Sequence, residues 1–421
     1  MPSFDETLNE SLESLRGQNL FRELRRVDSA QGPRIEIGGK TFLNFSSNDY
    51  LGLASHPALK EAAIKAVEKF GAGAGAARLI SGSLAPFHEL EASLAAFKKT
   101  EAALTFSTGW AAAMGTICAL LGKDDVIILD KLVHACIVDA AKLSSAKLRV
   151  FAHNDLNDLE DKLKWANEVQ SPKSKVQNAP HTLVVSESVF SMDGDHAPLR
   201  EIVALKEKYG AWLMVDEAHA TGIIGQNGRG LADELGVGHQ IEIQMGTLGK
   251  ALGASGGCIC GSRALIDFLV NRARSFIFST APVPAAAAAA TAAIQIAQSD
   301  EGDKLREKLR ERVKQCRTGV APVSNFLNIS DRRDACPALA AIIPLILGDE
   351  KKAVAAAAKL REQNIFVPAV RYPTVARGAA RLRITLTAAH SSEDVLTLAR
   401  ALEPIVNHEL RPRARLTIHE G

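Results

Sequence analysis

The chain has 421 residues, 47% of them hydrophobic and 23% charged, with a formal net charge of +2 at pH 7. That balance is ordinary for a globular protein with a large core in two or three domains. It excludes the broad basic field that a nucleic-acid binder needs. The first residues, MPSFDETLNESLESL, carry acids and no apolar core, so they read as neither a secretory signal nor a transit peptide. The longest apolar run, residues 282–297, is too short and too rich in alanine to span a bilayer, so no membrane is expected as a partner.

In chain order, residues 6–26 predict a helix with Leu8, Leu12, Leu15 and Leu20 roughly on one face. RIEIGGKTFLNF (34–45) predicts two short strands around a Gly-Gly turn. A helix over 56–70, a glycine-rich loop over 71–83 and a helix over 87–99 follow. Strands and helices then alternate. Strands are expected at 102–108, 125–130, 148–153, 181–188, 211–218, 241–245 and 256–261, and helices at 111–121, 132–143, 156–168 and 199–209. Residues 170–180 read as a polar surface loop. Such alternation implies parallel pairing with helices on both faces of a sheet. After about residue 290 the pattern changes to helices at 283–299, 300–326, 350–363 and 391–408 around strands at 341–347 and 381–387. The expected architecture is α/β, with a mostly parallel central sheet in a large domain and a smaller α+β C-terminal domain. The boundaries read as an N-terminal segment 1–55, a large domain 56–290 and a small domain 291–421. The basic tail RPRAR (411–415) reads as a solvated end.

Cys118, Cys136, Cys258, Cys260, Cys316 and Cys336 are scattered, without CxxC or a Cys/His ligand spacing. They read as reduced core thiols rather than disulfides or a metal site. GGKT (38–41) lacks the upstream glycine of a phosphate loop, and DEAH (216–219) lacks the phosphate loop a helicase requires. The 71–82 stretch gives G-x-G-x-x-R, not the dinucleotide fingerprint.

In parallel sheets ligands gather at the carboxyl ends of the strands. Thr108-Gly109, Glu187, Asp216 with His219, and Lys250 all fall at such ends. Lys250 stands among small residues in MGTLGKALGASGG (245–257), where a bulky group has room. A lysine acting as an uncharged nucleophile needs a confined site. With an aspartate nearby, that pattern suits pyridoxal 5′-phosphate (PLP): the lysine bonds the cofactor and the aspartate pairs with its ring nitrogen. The helix start at Gly109-Trp110-Ala111 offers amides to a phosphate, and Thr247 offers a hydroxyl.

The motifs NFSSNDYLGL (44–53), ARLISGS (77–83), HELE (88–91), FAHND (151–155), SVFSMDGD (188–195), MVDEAHATG (214–222), TLGKALGASGG (247–257) and YPTVARGAARLRITLTAAH (372–390) occur in order. On these, the chain resembles the α-oxoamine synthases, fold-type I PLP-dependent transferases that join an amino acid to an acyl-CoA. The resemblance implies Lys250 as the Schiff-base lysine and Asp216 at the ring nitrogen. It implies His219 and Ser191 near the ring hydroxyl, and His134 stacked on the ring. Gly109, Trp110 and Thr247 would face the phosphate, and Ser279 and Thr280 would reach it from a partner subunit of a homodimer. Arg371 and Asn48 would hold the amino-acid carboxylate, Thr374 would touch substrate, and Arg25, rather than the adjacent Arg26, would be an N-terminal substrate contact. Trp110 and Ala76-Ala77 depart from the family pattern.

SVFSMDGD and the last stretch are most similar to the branch that condenses L-alanine with pimeloyl-CoA, or a pimeloyl carrier protein. That reaction gives 8-amino-7-oxononanoate, CoA and CO2 in biotin biosynthesis. In the implied scheme Lys250 is the general base, and His219 or His134 polarises the acyl carbonyl. Glycine-using relatives, 2-amino-3-ketobutyrate ligase and 5-aminolevulinate synthase, are the alternative. An aminotransferase and a non-catalytic PLP-fold protein are rival classes. The expected location is the cytoplasm.

Overall fold

The structure is a computed structural model, which describes residues 1–170, 180–319 and 340–409. The 170–180 loop and the end of the 300–326 helix lie partly outside those residues, and Cys336 and the 411–415 tail wholly so. The described chain forms two compact units. One comprises 48–308, the other 1–47 with 309–319 and 341–409.

The 48–308 unit is built on a seven-stranded sheet. Its order is Ala102–Phe106, Gly257–Gly261, Ile243–Thr247, Trp212–Asp216, Thr182–Glu187, Val126–Asp130, Lys147–Phe151. Every neighbouring pair is parallel except the two that Gly257–Gly261 makes, which are antiparallel. The α/β expectation therefore holds. VIILD and TLVVSE are buried at every position, as strands covered on both faces must be. Leu104, Ile127, Val185, Met214 and Ile259 of the sheet join Ile117 and Ile137 of two covering helices in one core. The register sets Glu187 beside Asp216 and Asp216 beside Met245, so three parallel strands end at one edge of the sheet.

In the other unit, Arg34–Ile37 and Lys40–Asn44 form the expected hairpin. Gly38 (φ 58°) and Gly39 (φ 73°) supply the left-handed turn. GGKT is thus a turn. Ile365–Phe366 joins this hairpin in parallel, and Ile342–Gly348 pairs antiparallel with Ala380–Thr385, which also pairs with Ala369–Val370. The two-residue strands carry too little pattern to be read from sequence. The first helix is shorter than expected, Phe4–Gly17. It opens on a Ser3/Glu6 capping box and closes where Asn19 turns left-handed at φ 56°. Leu8, Leu12 and Leu15 are exposed, and only Leu20, beyond the helix, is buried.

Candidate active site

Lys250 lies in the connection between the antiparallel strands Ile243–Thr247 and Gly257–Gly261. Two glycines let three segments converge there. A Cβ on Gly253 (φ +61°) would meet the backbone at Leu53 and Ala54 at 2.5 Å. A Cβ on Gly222 (φ +90°) would meet the Ala251 side chain at 2.6 Å. The Lys250 loop thus presses on both the 48–54 segment and the DEAHATG turn. Lys250 is half-buried rather than enclosed.

A chain of polar contacts runs from it. Lys250 Nζ is 2.6 Å from His219 Nε2, and His219 Nδ1 is 2.5 Å from the Tyr50 hydroxyl. The Tyr50 hydroxyl donates to Asn48 Oδ1 at 3.3 Å. When Lys250 is an ammonium it can only donate, and Nε2 of His219 is then the acceptor and Nδ1–H the donor to Tyr50. His219 is 5% exposed and Tyr50 fully buried. Asp49 holds this segment in place by accepting from Leu53 N at 2.8 Å and Ala54 N at 3.1 Å. Tyr50 was not singled out in sequence, although it stands within NFSSNDYLGL two residues after Asn48.

Asp216 and Glu187 end adjacent strands, 5% and 2% exposed. One Asp216 oxygen accepts from Ala218 N at 2.9 Å. Burial raises the Asp216 pKa, opposed by Lys250 and by that amide. Glu187 is pushed up to about 8, by burial first and then by Asp216. Two buried carboxyls side by side do not both ionise at neutral pH, so Glu187 keeps its proton and Asp216 carries the charge. Ser191, 7% exposed, donates its backbone N–H to Glu187 Oε2 at 3.1 Å. His134 caps the Ala135–Ser144 helix, its Nδ1 accepting from Cys136 N at 3.2 Å, with the Cys136 thiol 3.1 Å away. Nε2 is then the protonated nitrogen of the neutral ring. Although the residue is exposed overall, desolvation lowers the His134 pKa, Lys250 lowers it further, and Asp216 opposes both.

The Gly109–Leu120 helix begins at the end of Ala102–Phe106. Thr108 caps it by accepting from Ala111 N at 3.0 Å, which engages that amide and leaves Gly109 and Trp110 as the outward N–H groups. Gly257 makes room for this turn: a Cβ there would meet Thr108 O at 2.5 Å and Gly109 Cα at 2.7 Å. Trp110 is 46% exposed, so it is not a core residue. The Thr247 hydroxyl orders its own loop, donating to Gly256 O at 3.1 Å and accepting from Gly249 N at 3.3 Å. Thr280 pairs through its backbone with Ala77 of the glycine-rich segment.

Arg25, Arg371 and Thr374 belong to the other unit. There Arg371 Nη2 donates to Phe21 O at 2.5 Å, its Nε is buried without a partner, and burial and Arg22 both lower its pKa. Arg26 is paired with Asp28 at 2.6 Å, whereas Arg25 is exposed and faces Arg361 as a like charge. Of the two adjacent arginines, Arg25 is the one available to an anion. Thr374 is exposed on the turn after Arg371.

Two buried networks hold the 48–308 site from behind. Lys98, on the Ala85–Lys98 helix, pairs with Glu217 at 2.5 Å, with side chains 3% and 1% exposed. Glu217 also accepts from Ala232 N at 3.0 Å, and Lys98 donates to the Arg229 carbonyl. Gly230 (φ +125°) is needed here, since a Cβ would lie 2.3 Å from the Glu217 carboxylate. The second network centres on His153, whose Nδ1 is 2.9 Å from Asp130 and Nε2 2.7 Å from Asp195, joining two strand ends to the turn that carries Ser191. Burial opposes its charge, but the hydrogen bonds to both carboxylates prevail and raise its pKa from 6.5 to about 9. The stability this adds is complete below the unfolded value of 6.5 and is lost as pH rises through about 9. Roughly 3 kcal/mol is at stake. Urea midpoints measured against pH should fall across that range, and the fall should be shallower in His153→Asn. An equal slope in both proteins would contradict the assignment.

The family described as aminotransferase class I and II matches residues 40–402. This chain belongs to that family. The 8-amino-7-oxononanoate synthase of Geotalea daltonii (strain DSM 22248 / JCM 15807 / FRC-32) is 46% identical over 390 residues, covering 93% of this chain and 95% of its own. The serine palmitoyltransferase of S. paucimobilis, solved with PLP and myriocin bound, has a TM-score of 0.85 at 28% identity over 96% of this chain and 97% of its own. The 8-amino-7-oxononanoate synthase of Francisella tularensis has a TM-score of 0.70 at 28% identity, covering 87% and 97%. The resemblance to α-oxoamine synthases therefore stands. No described helix is long and apolar enough to cross a membrane.

Proposed function

We propose that this chain condenses L-alanine with a pimeloyl thioester, releasing CO2 and the thiol and forming 8-amino-7-oxononanoate for biotin biosynthesis. The observation that carries the reading is Lys250 Nζ at 2.6 Å from His219, in a site whose electrostatics also include the buried Asp216 and Glu187. The 46% identity to a synthase of that name selects the substrates. The higher TM-score to serine palmitoyltransferase reports shared fold, at lower sequence identity.

The residues fit PLP. A buried anionic aspartate at a strand end suits a protonated ring nitrogen, an orphaned Glu187 Oε1 awaits a partner, and a helix N-terminus offers two amides to a phosphate. When it carries the amino acid in place of Lys250, PLP would supply an electron sink that weakens the Cα–H and Cα–carboxylate bonds. Asp216 would pair with the ring nitrogen, and Ser191 and His219 would face the ring oxygen. Gly109, Trp110 and Thr247 would hold the phosphate, with Thr280 acting on the partner's site. Lys250 would remove the Cα proton, with His219, Tyr50 and Asn48 as the hydrogen-bonded chain that shares and orients its protons. The His134 Nε2–H would donate to the acyl carbonyl oxygen as it gains charge. Asn48 in its own unit, and Arg371, Thr374 and Arg25 in theirs, are the proposed substrate contacts, Asn48 and Arg371 being suited to a carboxylate.

Residues 56–290 are proposed as the cofactor-binding domain and 291–421 as the small domain. A homodimer is proposed as the working state. The exposed apolar face Leu8, Leu12 and Leu15 and the exposed Ile80 and Phe278 support it. Among the described residues five cysteines are free, four of them buried, which supports a reducing cytoplasm.

The test is thiol release, crossing L-alanine, glycine and L-serine with pimeloyl-, succinyl-, acetyl- and palmitoyl-CoA. Release confined to alanine with pimeloyl-CoA is expected. Preference for glycine with a short acyl chain would replace the proposed substrates.

A further inference from the structure

We propose that Glu187 is a further ligand-contacting residue, whose buried carboxyl donates a hydrogen bond to the ring oxygen of bound PLP. This rests on the PLP reading above. Glu187 ends the Thr182–Glu187 strand, directly beside Asp216, and is 2% exposed. Its two oxygens differ. Oε2 accepts the Ser191 backbone N–H at 3.1 Å, and the carboxyl also accepts the His134 backbone N–H. Oε1 is buried and has no hydrogen-bond partner in the described structure. Buried polar atoms are almost always paired, and an exception at a ligand-gathering strand end points to a group that arrives with the ligand.

The direction of that bond follows from the proton. Asp216 on the next strand, Lys250 after the strand beyond it, and His134 and Cys136 at the start of the Ala135–Ser144 helix are the titratable groups around Glu187. After burial, the largest influence on Asp216 is Lys250, which favours its charge, whereas the largest on Glu187 is the Asp216 charge, which opposes a second one, so the proton stays on Glu187 below about pH 8. With Oε2 occupied as an acceptor, the proton sits on Oε1. A neutral acid then points an O–H donor at the corner of the site held by Ser191. The ligand atom suited to it is an anionic oxygen, and PLP carries one on the second ring carbon from the nitrogen that Asp216 would bind, the side on which the adjacent strand brings Glu187.

The experiment follows cofactor affinity by equilibrium dialysis and the visible absorbance of the PLP-loaded protein against pH, in wild type, Glu187→Gln and Glu187→Ala. Glutamine reproduces the neutral acid, with its carbonyl toward Ser191 and its amide toward the ring oxygen. The PLP-loaded wild type should show an absorbance transition above pH 8, because donation to the ring oxygen favours the protonated acid further, and Glu187→Gln should lack it. Glu187→Gln should hold PLP within about three-fold of wild type, and Glu187→Ala should bind about ten-fold more weakly or worse. An unchanged transition in Glu187→Gln, or wild-type affinity in Glu187→Ala, overturns the assignment of Glu187 alone. A wild type that takes up no PLP overturns the cofactor reading, and this assignment with it.

Discussion

Replacing Lys250 by arginine is expected to lower product formation by about a thousand-fold or more. Arginine keeps the positive charge and much of the length, yet its guanidinium does not give up a proton at working pH and forms no bond to a carbonyl carbon under these conditions. Both proposed roles of Lys250, cofactor attachment and proton removal, are lost together. The fold should survive, because Lys250 is half-buried in a loop whose shape depends on glycines and backbone bonds such as Gly253 N to Lys250 O at 2.8 Å. Borohydride reduction followed by peptide mass analysis separates the cases. Wild type should carry the cofactor mass on the peptide containing Lys250, and Lys250→Arg should carry none. Turnover in the arginine variant near the wild-type rate would end the scheme.

Replacing Lys98 by methionine should destabilise the 48–308 unit by about 3–5 kcal/mol, the usual consequence of removing one partner of a buried ion pair. Lys98 and Glu217 are 3% and 1% exposed at the side chain, so an unpaired Glu217 would have no water to turn to. The effect should reach the site, because Glu217 stands between Asp216 and Ala218, whose amide binds the aspartate. Adding Glu217→Gln to Lys98→Met should recover part of the loss, since a neutral pair leaves no buried charge. Urea denaturation of both single variants and the double variant checks this. Additive losses would show that the two side chains act independently.

The parallel sheet was legible because β-branched runs such as VIILD and TLVVSE have no other stable setting, and the strand-end rule then located Asp216, His219 and Lys250. Contacts that depend on close backbone approach were not legible. Nothing in the sequence pattern shows that Gly253 and Gly222 bring the Lys250 loop against residues 53–54 and the DEAHATG turn. Tyr50 and Lys98 were hidden for a related reason. Each acts through a partner distant in sequence, His219 at 169 positions and Glu217 at 119. Glu187 was visible as a polar residue at a strand end, but its protonation depends on Asp216 alongside it, which is a fact of strand order and register. The first helix was overextended because the leucine spacing continues past the left-handed Asn19 that stops it.

The most direct test of the account is CO2 release from carboxyl-labelled L-alanine by the PLP-loaded protein, with and without pimeloyl-CoA. The account predicts labelled CO2 only when the thioester is present, in equal amount to the free thiol formed. Labelled CO2 without the thioester, or thiol release with the label retained in the product, would contradict a decarboxylative condensation at Lys250.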